Sequence, residues 1–181
     1  MSLNYSDNRG FTLIEMVVVI AIVSIISTAL LSNFSRSRVD LTTGANLVAA
    51  AIRNAQSNAI ASVKYNNYNP CGYGFHYIDA SHFSIYAGPN AATATCASTN
   101  KNYSASEDSL LGSQTFTDSR IQFAGSFSDI YFEPPDPKTY LNNVFSLSQS
   151  PLTITVQKSG GTCPADCKTI NVYPSGKIEI Q

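Results

Sequence analysis

Charge is scarce in this chain: 13% of its 181 residues are Asp, Glu, Lys or Arg, about half the usual share. The polar surface must then come from Ser, Thr, Asn and Tyr. Residues 65–181 hold six basic and nine acidic side chains, a net of −3, so this part has no general attraction for nucleic acid. Phosphate-cradling and nucleophile motifs are also missing. There is no Walker loop, no G-x-G-x-x-G and no nucleophile elbow, which argues against nucleotide chemistry and a hydrolase. The two histidines, His76 and His82, flank strand candidates beside aromatics and read as sheet or surface residues. Asp129, Glu133 and Asp136 match no calcium-loop spacing. No enzyme activity, metal or cofactor is expected.

Proline is absent from Phe11 to Asn69, which permits one long helix. Its first part is an apolar run. From Met16 to Ile26 only Ser24 is polar, and Ser27 and Thr28 are the only polar residues between there and Leu31. Counted from Phe11, the run is about 20 residues long, the length of helix that matches a bilayer core. A secretory signal peptide fits poorly, because the small residue Gly10 precedes the apolar run and no A-x-A pattern follows it. A simple anchor does not need Glu15, and an acid inside an apolar helix is a functional candidate by default.

The segment Gly10-Phe11-Thr12-Leu13-Ile14-Glu15 resembles the signal of type IV pilins and type II secretion pseudopilins. That resemblance implies a cut by prepilin peptidase between Gly10 and Phe11. It implies N-methylation of Phe11. It also makes Glu15 the acid that pairs with a neighbouring subunit's terminal amine during assembly. The implied partners are other pilin or pseudopilin subunits, the peptidase, the inner-membrane assembly platform and the membrane; nucleic acid is not expected. The implied fold is α+β: a long N-terminal helix packed on an antiparallel β-sheet domain. Residues 1–10 are then the leader, 11–31 the transmembrane or filament-core helix, 32–64 its amphipathic continuation, and 65–181 a β-rich extracytoplasmic domain. The protein would be a single-pass inner-membrane protein before assembly. Many major pilins carry a helix-breaking glycine and proline in the membrane half, where this chain has Ser24 and Ser32, and this favours a minor subunit.

In the continuation, Leu41, Ala45, Val48, Ile52, Ala55, Ala59 and Val63 form one apolar stripe of helical period. The helix is expected to end near Lys64. Strands are expected at 72–79, 82–87, 114–116, 120–124, 129–133, 152–158, 168–173 and 177–181, with Pro174-Ser175-Gly176 as a hairpin turn. Residues 88–112 read as a mobile surface loop, and 133–137, rich in proline, as a stiff connector. The order of the C-terminal strand motifs resembles the H-type minor pseudopilins and FimT-like minor pilins (the GspH/FimT group). The four cysteines allow three pairings; the expected one is Cys71–Cys96 and Cys163–Cys167. Zinc is disfavoured, because no C-x-x-C occurs and there is no second close pair. The expected function is a structural or priming subunit of a type IV pilus or a secretion pseudopilus. The alternative is a ligand-binding minor pilin, such as one capturing DNA. Against it, the C-terminal region reads Gly176-Lys177-Ile178-Glu179, one base and one acid, where DNA-binding relatives are basic.

Overall fold

The structure, a computed structural model, describes residues 12–135 and 138–181, with backbone alone at 29–39. It opens on one helix, α1 (Leu13–Ile60). The chain divides into two units, Met1–Arg38 and Val39–Gln181.

Within the second unit, the helix presents the expected stripe to the core. Leu41, Ala45, Val48, Ile52, Ala55 and Ala59 are all buried. Val63 is not: it is 41% exposed, because α1 ends earlier than the period suggests. Ser62 adopts φ 46°. Its N–H donates to Ala59 O at 3.0 Å, and that of Val63 to Asn58 O at 3.0 Å. These are the two bonds of a Schellman cap, and they turn the chain before Val63 reaches the stripe's next position.

Among the described residues nine strands follow: β1 (Tyr73–Tyr77), β2 (His82–Ala87), β3 (Ser109–Thr115), β4 (Ile121–Phe123), β5 (Ile130–Glu133), β6 (Lys138–Leu141), β7 (Leu152–Lys158), β8 (Cys167–Val172) and β9 (Ile178–Ile180). One sheet has the order β3-β2-β1-β5-β6 and the other β4-β7-β8-β9. Every pairing is antiparallel. Alternation aims Phe75, Phe83, Ile130 and Phe132 from the first sheet, and Phe123, Ile154, Val156, Ile170 and Val172 from the second, into a single core shared with α1.

The structure extends one expected strand, that at 114–116, and adds another. β3 begins at Ser109, inside the stretch read as loop, where Gly112 and small polar residues hide its pattern. β6 was unforeseen. It follows the proline-rich turn and pairs Thr139 with Phe132 and Leu141 with Ile130.

The first sheet is covered on both faces. Gly74 shows why on the outer one: a Cβ there would lie 2.2 Å from the Tyr86 ring. Only glycine lets that tyrosine lie flat over β1. Tyr86 and Tyr131, 5.9 Å apart between ring centroids, are almost wholly buried. Their cover is the segment expected to be a mobile loop. Tyr86 Oη donates to Lys101 O at 2.7 Å, and the Tyr103 N–H donates to Asp129 Oδ2 at 2.7 Å.

Candidate functional site

Gly10 and Phe11, the expected cleavage and methylation positions, lie outside the described residues. The site is visible from Thr12 onward. Thr12 Oγ1 accepts the Glu15 N–H at 3.3 Å, and Glu15 Oε2 accepts the Thr12 N–H at 3.5 Å. This reciprocal pair is a capping box. It satisfies two backbone donors that a helix start leaves open, and it places a carboxylate against the positive end of the helix dipole. The spacing Thr-x-x-Glu is itself a sequence signal of this cap.

Beyond the box, Leu13, Ile14, Met16 to Ile20, Ile22, Val23, Ile25 and Ile26 are all about half exposed or more. Hydrophobic surface of this kind on an isolated helix needs a partner or a lipid phase. The two hydroxyls Ser24 and Thr28 turn inward on the backbone, donating to Ile20 O at 2.7 Å and Ser24 O at 2.6 Å. Among the described residues, no helix is long and apolar enough to cross a membrane. The expected segment 11–31 is described only in part, since Phe11 and the side chains of 29–31 fall outside.

In the second unit, Cys71 is bonded to Cys96 and Cys163 to Cys167. The first bond ties the segment before β1 to the cover over the outer sheet face; the second closes the turn before β8. Beside the first bond lies Lys101, only 2% exposed. Its Nζ donates to Cys96 O and to Thr99 Oγ1, the latter at 3.2 Å. It sits 5.3 Å from the ring centroids of both Tyr131 and Tyr140. It also stands 3.4 Å from Glu133 Oε2. That oxygen makes no aligned hydrogen bond among the described residues, so the pair is held by charge rather than direction. Burial, aided by the Glu133 carboxylate, pushes the Tyr140 phenol up to about 12. A lysine in a polar loop gives no sequence signal of such burial.

His76 Nδ1 lies 2.8 Å from Asp129 Oδ1, and its ring packs on Tyr103 at 4.4 Å. With Asp129 also accepting from the Tyr103 amide, the pair clamps the cover. His82 bonds Asp79 at the exposed β1–β2 turn. Of the three acids weighed for calcium, Asp129 is engaged with His76 and the Tyr103 amide and Glu133 faces Lys101, while Asp136 lies outside the described residues. Among the described residues no cluster of His, Cys, Asp and Glu has metal-binding geometry.

A family model described as the prokaryotic N-terminal methylation motif matches residues 5–31. Among solved structures, the type IV minor pilin FimU of Pseudomonas aeruginosa (strain PAO1) is similar, with a TM-score of 0.50 and 11% identity, covering 80% of this chain and 90% of that one. No curated protein matches. The likeness to FimU is one of fold: a long N-terminal helix on an antiparallel β domain. The chain thus carries a prokaryotic N-terminal methylation motif over residues 5–31 and a fold similar to that of a type IV minor pilin.

Proposed function

We propose that this chain is a minor pilin-type subunit, a structural or priming component of a type IV pilus or of a secretion pseudopilus. The observation that carries the reading is the start of α1: one carboxylate, Glu15, capping a helix whose next three turns are apolar and exposed. Prepilin peptidase cuts between Gly10 and Phe11, and Phe11 becomes the methylated terminus. Residues 11–31 hold the chain in the inner membrane until assembly, with the outer domain on the far side. The cut creates a cationic amine beside an acid in a poor dielectric, where opposite charges attract strongly. A neighbour's amine is the better partner in a staggered bundle, since it recruits the incoming subunit and sets its axial position. DNA capture lacks support: the charge balance beyond residue 64 is acidic, and duplex affinity comes mostly from neutralising phosphates.

The test is Glu15→Val, read against the mass of the native chain. Wild type should begin at Phe11 carrying a methyl group. The variant should be cut, stay in the membrane and keep both disulfides, yet fail to co-purify with partner subunits. An unpaired amine left in the filament costs about 3–5 kcal/mol, as a broken buried pair does. If the native terminus is Met1, or if Glu15→Val assembles as well as wild type, the reading fails.

A further inference from the structure

Between Thr139 and Gln157 there is no charged side chain. In the middle of that stretch Val144, Phe145 and Leu147 are 49%, 42% and 73% exposed. Three large apolar residues facing water within four positions need a cause, and slack backbone is not it. Asn142 and Asn143 sit at φ 54° and 60°, the left-handed pair of a tight hairpin turn. Leu141 and Val144 exchange backbone bonds across it at 3.0 and 3.2 Å. The turn is also gripped from the neighbouring cover: Asn143 Oδ1 accepts the Lys101 N–H at 2.8 Å, and Asn102 Nδ2 donates to Asn142 Oδ1 at 3.3 Å. Further on, Gln149 N–H donates to Ser146 O at 3.0 Å. The Phe145 ring rests 5.7 Å from Tyr140. The fold thus fixes the backbone that presents these side chains, and binding need not order it.

The partner follows from area and charge. The three side chains expose on the order of 300 Å², the size of a functional patch. A stable complex formed from solution buries roughly 1,200–2,000 Å². The patch is therefore too small to recruit a free partner and suits one already held alongside at high effective concentration. It offers no charge to steer an encounter and none to meet a lipid headgroup. A facing surface rich in charge would lose hydration there without compensation. We propose that this turn is a lateral contact for the globular domain of an adjacent pilin-type subunit, which meets it with an uncharged, apolar surface. The proposal rests on the subunit function above.

The experiment uses the full-length chain in cells that carry its assembly system. Leu147 is replaced by a photoreactive phenylalanine analogue, and adducts are identified by mass spectrometry. The expected adduct joins the globular domain of a pilin-type subunit and disappears in Glu15→Val. The double variant Phe145→Ser, Leu147→Ser should keep both disulfides and the wild-type melting temperature, and lower the co-purified partner by roughly tenfold or more. Adducts with lipid alone, or none while wild type still co-purifies with its partners in a Glu15-dependent way, overturn the contact and leave the subunit function standing. If wild type co-purifies with no pilin-type subunit, the function itself is wrong and the contact falls with it.

Discussion

Lys101→Met is the sharpest test of how the outer domain is held together. Methionine keeps the length and apolar stem of the lysine and removes only its ammonium. The change strips Cys96 O and Thr99 Oγ1 of their donor and the Tyr131 and Tyr140 faces of their cation. It also leaves the Glu133 carboxylate, whose side chain is 15% exposed, without its countercharge. Breaking a buried pair from one side costs about 3–5 kcal/mol. The residual exposure of Glu133 places the expected loss near the lower end, about 3 kcal/mol. At about 2–4 °C per kcal/mol for a domain of this size, the melting temperature should fall by about 10 °C. Adding Glu133→Gln removes the orphaned charge, so the double variant should recover about half of the loss. The double-mutant cycle, measured by urea unfolding of residues 39–181 with the disulfides intact, isolates that coupling. A loss below about 1 kcal/mol for Lys101→Met, or a coupling of zero, would refute the account of Lys101 as a buried latch.

Burial lifts Asp108 to about 6, with the Glu107 and Asp129 charges adding to it and the Ser104 N–H opposing. A raised folded-state value means stability that is full below the ordinary carboxylate range and is lost as pH rises through about 6. Asp108→Asn should therefore stabilise the domain at pH 7 by about 1 kcal/mol, discounted for partial exposure, and the gain should shrink toward pH 4. A pH-independent difference in melting would contradict it. Gly176 sits at φ 81°, and a Cβ there would meet Gln56 Nε2 at 2.6 Å, the same nitrogen that donates to Gly176 O at 3.1 Å. Gly176→Ala should cost about 2 kcal/mol through left-handed strain and the disturbed bond. Gly125→Ala, with open space around its Cβ, is the control, and equal losses in urea would undo the argument.

Periodicity made the helix and most strands legible. The stripe from Leu41 to Ala59 and the alternation of Ile154/Val156 and Ile170/Val172 each follow from one buried face. The turn at Pro174-Ser175-Gly176 was readable because a hairpin there needs a left-handed glycine, and Gly176 has that conformation. What escaped is the second face of the first sheet. A strand buried on both sides does not alternate, so β5 reads Ile-Tyr-Phe with all three buried. The cover over it is made of Lys101, Tyr103 and backbone amides, which look like loop until their partners across the fold are known. β6 was hidden for a related reason: its four residues carry their pattern in a fully buried threonine, Thr139. At the N-terminus the motif was legible, and the capping role of Thr12 was written in the same four residues.

The inward hydroxyls of Ser24 and Thr28 bear on the journey the proposed function requires. A helix leaving a bilayer for a bundle of helices exchanges lipid chains for side chains. Any polar group bonded to its surroundings must break and remake that bond on the way. These two hydroxyls donate to their own backbone, so the exchange can leave those two bonds in place, and the apolar side chains around them meet a medium of similar polarity on both sides. On the proposed function, a large part of the free-energy difference between the two states would then fall at the end of the helix, on Glu15 and the amine that cleavage would free beside it. Under that function the apolar segment favours neither phase strongly, and the charge pair at its end would bias which one it occupies.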